Sequence, residues 1–179
     1  MIGVLIALAK DISEAKGLGN VVTGNAVMYF YIGTSFGDFL SGYLSQVFKS
    51  RKKIILFYLC IAVVAIPFYL FQRTTDPNVF YWVCAFLGFA AGYWAVFVTI
   101  ASEQFGTNIR STVTTTVPNF VRGSLVLLTF FLSFLRKGVN LPIITSCLIV
   151  GIVALTIAFW ALSKMKETYH KDLNYTEMM

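Results

Sequence analysis

Long apolar runs alternate with short polar ones along this chain, and the apolar runs are too continuous for a fold that meets water on its outside. Ile54 to Phe71, Asn78 to Ser102 and Leu141 to Ser163 contain no charged residue. A run of about 18 or more mainly apolar residues crosses a hydrocarbon core about 30 Å thick, because each helical residue rises about 1.5 Å. The pattern predicts one transmembrane bundle over 1–179, all α, with spans at 20–48, 54–71, 79–102, 111–135 and 141–163. The short segment 1–9 reads as the end of a helix whose beginning is missing. The polar stretches "KDISEAKGLGN", "KSRKK", "QRTTDPN", "EQFGTNIR" and "RKGVN" are the turns. Pro67 predicts a kink in the third segment, and Pro142 belongs in the first turn of the last. The tail 164–179 is expected to leave the membrane as a short helix.

Composition agrees: 58% of the 179 residues are hydrophobic and 12% charged, too little polar surface to cover a soluble core. The net charge of +6 does not point to nucleic acid, because the bases gather at helix ends, where membrane topology places them. Lys49, Arg51, Lys52, Lys53, Arg110, Lys164, Lys166 and Lys171 fall on one side, and outnumber Lys10, Lys16, Arg73, Arg136 and Lys137 on the other. The positive-inside rule then puts the "KSRKK" loop and the C-terminus in the cytoplasm of a plasma or bacterial inner membrane protein. "MIGVLIALAK" lacks the leading basic residue of a signal peptide. Cys60, Cys84 and Cys147 sit in apolar runs and read as small buried hydrophobes. His170, the single histidine, lies in the tail. With no phosphate loop, zinc-ligand spacing or nucleophile–base pair, no enzyme, metal or cofactor is implied.

Charges inside the spans are the candidate chemistry. Asp38 lies roughly 16 Å from Lys49 along its helix, and Arg122 roughly 18 Å from Arg110, both near mid-membrane. An ionised group at that depth costs several kcal/mol without water or a partner, and is a functional candidate by default. Ser111, Thr115, Asn119 and Arg122 share one helix stripe, either a polar cavity wall that draws an anionic or polar solute or the surroundings of a structural arginine. Pro118 frees the Thr114 carbonyl for nearby threonine hydroxyls. Asp38 is a proton-coupling group, a substrate contact or a structural acceptor. It sits beside the small-residue ridge of Gly33, Gly37, Ser41 and Ser45, and Gly88 and Gly92 form a similar GxxxG; close helix packing is the default for both. Tyr93 and Trp94, at mid-span, either line a pocket or pack.

"GYLSQVFKSRKK" (Gly42 to Lys53) resembles the signature loop of the major facilitator superfamily, with Gln46 where that pattern has an acid and without its second glycine. "ASEQFGTNIRSTVTTTVPNFVRG" resembles the connection between the tenth and eleventh helices of its sugar-porter-like and organic-ion-porter-like members, and "KETYHKDLNYTE" their cytoplasmic exit. The resemblance implies the C-terminal bundle of such a transporter, from the end of helix seven through helix twelve, paired with an N-terminal six-helix half. It implies symport or a related secondary transport of a sugar or organic anion by alternating access. Helices seven, eight, ten and eleven would line the cavity, and nine and twelve would face lipid. Gly42, Arg51 and Lys52 match the signature loop, and Glu103 and Arg110 the acid and arginine of the ten–eleven connection. Together they imply a cytoplasmic gate, against the alternative of interfacial ion pairs worth about 0–1 kcal/mol each. A reading of another class is a non-transporting membrane subunit that binds a partner through its small-residue ridges.

Overall fold

The computed structural model describes residues 1–18 and 21–169. Asn20, His170, Lys171 and the tail through Met179 lie outside the described residues. Among those described, the helices are α1 (Ile2–Ala7), α2 (Ala9–Ala15), α3 (Thr23–Val47), α4 (Arg51–Phe71), α5 (Pro77–Ala91), α6 (Trp94–Glu103), α7 (Arg110–Lys137) and α8 (Ile143–Lys164), with no strand. Of these, α4, α7, α8 and the joined pair α5–α6 are long and apolar enough to cross a membrane. At 25 residues α3 is long enough, but its glycines, hydroxyls and Asp38 dilute its hydropathy.

Helix ends follow local chemistry. Ser50 adopts an extended backbone and accepts the Lys53 amide at 3.2 Å, so α4 begins inside the basic run, earlier than the apolar pattern implies. Asp76 accepts the Asn78 amide at 2.9 Å, with Pro77 as first helical residue, and starts α5. Arg136 and Lys137 close α7, where positive charge suits the carbonyl end of a helix. Three expectations need correction. The polar stretch after residue 9 is largely helical, as α2. The tail residues 165–168 are not helical. The apolar stretch 79–102 is interrupted at Gly92 and Tyr93, which divide it into α5 and α6.

That interruption lies at the end of the tightest contact in the molecule. A Cβ added at Gly33 would fall 1.9 Å from the Ala85 carbonyl oxygen, and one at Gly88 would fall 2.0 Å from the Phe30 oxygen. One at Gly92 would sit 2.4 Å from the Gly37 Cα. The two glycine pairs thus let α3 and α5 meet backbone to backbone, which membrane helices need because lipid supplies no hydrophobic drive for association. Thr34 crosses the seam, donating to the Phe30 carbonyl at 2.9 Å and the Gly88 carbonyl at 3.2 Å. On the other side of α5, α4 packs and carries α8 in turn. Tyr58 and Tyr69 of α4 are fully buried and donate to the Gly37 carbonyl at 2.7 Å and the Leu5 carbonyl at 3.3 Å.

The far end of the bundle from the basic loop is fastened by Lys16. Its ammonium donates to the Tyr69 carbonyl and lies 5.3 Å and 5.7 Å from the ring centres of Tyr69 and Phe80. Burial brings that ammonium down to about 8.

Gly88→Ala is expected to destabilise the protein by about 1–3 kcal/mol, as overpacking does, because only backbone stands in the way of the new methyl. Gly42→Ala and Gly123→Ala, where an added Cβ meets nothing within 4 Å, are expected to be neutral. Thermal midpoints of the three variants of the complete protein in detergent check the contrast.

Candidate functional site

At the basic end the charges converge. Arg51, in the first turn of α4, sends Nη2 to Glu103 Oε1 at 3.2 Å and Nη1 to Ser45 Oγ at 2.6 Å. Thr168 donates to the other Glu103 oxygen at 2.6 Å. The side chains of Arg51 and Glu103 are 12% and 11% exposed, and that burial decides their worth. An exposed pair contributes about 0–1 kcal/mol, whereas removing one partner of a buried pair costs about 3–5 kcal/mol by stranding the other charge. Tyr169 stacks its ring 5.1 Å from the Arg51 guanidinium and donates to Gln46 Oε1 at 3.1 Å. Gln46, where the signature loop has an acid, thus takes a neutral hydrogen bond. Among the described residues Arg51 Nε is buried without a partner.

The segment after α8 is tied down across this cluster. Glu167 Oε1 accepts the amides of Arg51 at 3.0 Å, Thr168 at 3.0 Å and Tyr169 at 3.2 Å. Its Oε2 accepts the Lys52 amide at 3.3 Å and the Ser50 hydroxyl. The carboxylate therefore sits on the amide end of α4, where the helix dipole favours negative charge. Burial pushes the Glu167 carboxyl up, but the bonds from Ser50, Arg51, Tyr169 and Thr168 outweigh it and hold it below the ordinary glutamate value. Lys52 caps the end of α8, donating to the carbonyls of Ser163 at 3.3 Å and Met165 at 2.8 Å. Arg110 likewise caps α6, with Nε on the Ser102 carbonyl at 3.1 Å and Nη2 on that of Phe105 at 3.2 Å. Of the residues matched to the gate, the structure joins Arg51 to Glu103, and sets Lys52 and Arg110 on helix ends beside them. Gly42 faces open space and gives its carbonyl to Ser45 at 2.7 Å.

Asp38 has a different task. The break at Gly92 and Tyr93 leaves the first amides of α6 without helical partners. Asp38 Oδ1 reaches across from α3 and accepts the Ala95 amide at 3.1 Å. The reach exists because Gly37 touches Gly92 directly, so the next residue of α3 lies beside the break. That bond is a structural acceptor's, one of the three readings open for this carboxylate. Tyr93 packs its ring 6.2 Å from that of Tyr58, and Trp94 lies 5.5 Å from Phe97; of these four residues Trp94 alone is exposed.

The polar stripe runs along α7, almost none of whose span is buried within the chain. Arg122 Nη1 donates to Asn119 Oδ1 at 3.4 Å, Asn119 Nδ2 to the Thr115 carbonyl at 3.1 Å, and the Thr115 hydroxyl to the Ser111 carbonyl at 3.2 Å. All four residues are exposed. No threonine hydroxyl among the described residues reaches the Thr114 carbonyl that Pro118 frees; Thr114 itself donates to the Arg110 carbonyl at 2.8 Å. Arg122 and Asp38 share no hydrogen bond or ion pair among the described residues, whereas Asp38 lies beside Tyr93 and Trp94 through its bond to the Ala95 amide. A cavity of about 500 Å³ lies elsewhere on α7, toward α1, between Gly3, Ala7, Leu125, Thr129, Leu132 and Arg136. Among the described residues no group of histidine, cysteine and acidic side chains is placed to hold a metal.

The sequence reading missed Ser45, Ser50, Thr168 and Tyr169. In the sequence Ser45 belongs to the small-residue ridge of α3, and its bond to Arg51 depends on tertiary approach. Ser50 was legible as a cap, since a serine stands directly before the helix, but its bond to Glu167 joins residues far apart in the chain.

Residues 1–128 match the family model described as Major Facilitator Superfamily. No curated protein matches the chain, and no solved structure does.

Because its carboxyl is depressed in the folded protein, Glu167 adds stability that is present above the unfolded value of about 4.3 and lost as pH falls through the folded one. Hydrogen exchange at the Arg51 and Thr168 amides, taken relative to the intrinsic rate at each pH, is expected to accelerate as the carboxyl protonates below the unfolded value of about 4.3. In Glu167→Gln it is expected to be faster at neutral pH and to lose that dependence. For Asp38 the amide oxygen of Asp38→Asn still caps Ala95, whereas Asp38→Ala strands its N–H and is expected to cost about 1–2 kcal/mol. Denaturation midpoints of the two variants, compared with the parent, measure the cap.

Proposed function

This chain belongs to the major facilitator superfamily, and on that footing we propose that it is the C-terminal half of a secondary active transporter. Its α1–α2 would be the end of helix seven, α3 helix eight, α4 helix nine, α5–α6 helix ten, α7 helix eleven and α8 helix twelve. The missing wall of the cavity would come from an N-terminal six-helix half, and the two would rock about a midplane site. The observation that carries this reading is the polar stripe Thr115–Asn119–Arg122 left uncovered along α7. A guanidinium near mid-membrane with only an asparagine beside it needs water or a solute. The bias is toward a small anionic or polyhydroxy solute, in keeping with the sugar-porter-like and organic-ion-porter-like resemblance, and symport with an ion belongs to the same proposal.

The Arg51–Glu103–Thr168 cluster would be the cytoplasmic gate of this half, holding α4, α6 and the segment after α8 together in one state. Lys52 and Arg110 would support it by capping the ends of α8 and α6, and Gly42, inside α3, would belong to it on the resemblance alone. Asp38, with Tyr93 and Trp94, would set the bend of helix ten at the cavity. The competing reading, a non-transporting subunit that docks partners through small-residue ridges, loses its main support: Gly33, Gly37, Gly88 and Gly92 are consumed inside the chain.

In the complete protein, Arg122→Ala is expected to lower uptake of its best solute, found from a panel of labelled sugars and carboxylates, by tenfold or more with membrane insertion unchanged. Uptake at the parent rate would remove Arg122 from the path and return the anchor reading to first place.

A further inference from the structure

A groove of about 450 Å³ opens on the outer surface between α4 and α8, at the basic rim. Its mouth carries Lys52 and Lys53, and its floor is Leu56, Phe159 and Leu162. The Lys53 ammonium is exposed and, among the described residues, has neither an ion pair nor a side-chain hydrogen bond. Lys52 gives two of its donors to the carbonyls of Ser163 and Met165 and has no ion pair among the described residues. Glu167 also borders the groove, but both its oxygens are filled by four amides and the Ser50 hydroxyl. That acid answers the end of α4, and the Lys53 ammonium is left exposed beside that of Lys52.

What covers the groove is set by the surface around it. Below the lysines, α4 and α8 turn large apolar side chains outward, with Val64 62% and Ile157 59% exposed. In a membrane that surface meets acyl chains, and the groove continues it to the polar boundary, where Trp160 and the lysines stand at the level of headgroups. Two ammoniums over an apolar trough fit a phosphodiester joined to acyl chains, and basic pockets between spanning helices bind acidic headgroups.

We propose that the α4–α8 groove seats one anionic phospholipid of the leaflet at the "KSRKK" end, its phosphate between Lys52 and Lys53 and an acyl chain along Leu56 and Phe159. This site is separate from the solute path and stands whether or not the protein transports. It also touches the gate, since Ser50, Lys52 and Glu167 border both.

The test uses the complete protein, delipidated in detergent and titrated with dioleoyl phosphatidylglycerol, dioleoyl phosphatidylcholine or inorganic phosphate, with native mass spectrometry counting the first bound lipid. Phosphatidylglycerol is expected to bind at least about tenfold more tightly than phosphatidylcholine, and Lys53→Gln to lower its affinity about five-fold while Lys53→Arg retains it. Inorganic phosphate is expected neither to bind nor to displace the lipid. Should Lys53→Gln fail to fold, Leu56→Asn, in the acyl part of the groove, carries the same expected loss. Equal binding of the two lipids, parental affinity in the Lys53→Gln or Leu56→Asn variant, or displacement by inorganic phosphate would each overturn the proposal.

Discussion

Everything in this bundle is arranged around the direct contact of two backbones, α3 and α5. Inside a bilayer, apolar side chains gain nothing by leaving lipid for each other, so helices associate through close packing and hydrogen bonds. Glycines at positions 33, 37, 88 and 92 remove the side chains that would hold the helices apart, and Thr34 bonds across the gap they leave. The seam also decides what happens at its end. Where Gly37 meets Gly92 the fifth helix stops, a new one begins, and Asp38 is already near enough to cap it. A packing device and a polar device thus share one origin, the absence of four side chains.

At the basic rim the governing problem is charge. Arg51 and Glu103 are buried, and each is tolerable there because the other is present and because serine and threonine hydroxyls bond to both. Glu167 solves a second problem, the unpaired amides at the start of α4, with bonds that also fasten the chain after α8. The rim is a hydrogen-bonded assembly of four helix ends, those of α3, α4, α6 and α8, and the segment after α8. The polar stripe of α7, by contrast, is incomplete within this chain, with hydroxyls bonded back to their own helix and the arginine facing outward.

Much of this was legible beforehand, and for physical reasons. Charge-free runs give the apolar segments because length and hydrocarbon thickness are matched, and GxxxG spacing marks a seam because helical periodicity stacks the glycines. The convergence of Arg51 and Glu103 came only through resemblance to a family, since no local rule pairs residues in different helices. What escaped reading were the partners set by tertiary approach: Ser45 under Arg51, Thr168 on Glu103, Asp38 on the Ala95 amide. The division of α5 from α6 escaped for a similar reason, because Gly92 and Tyr93 interrupt a stretch whose hydropathy does not change.

The modest hydropathy of α3 bears on how the protein reaches its membrane. This helix emerges from the ribosome before α5, carrying Asp38, Thr34, Ser35, Ser41 and Ser45 with only a thin apolar cover. Partition into lipid on its own merits favours α4, the α5–α6 pair, α7 and α8 over it. Its lodging in the bilayer is therefore a cooperative event, completed when α5 arrives and the glycine seam closes. Biogenesis of this bundle is pairwise at its centre, with an early helix held in trust for a later one.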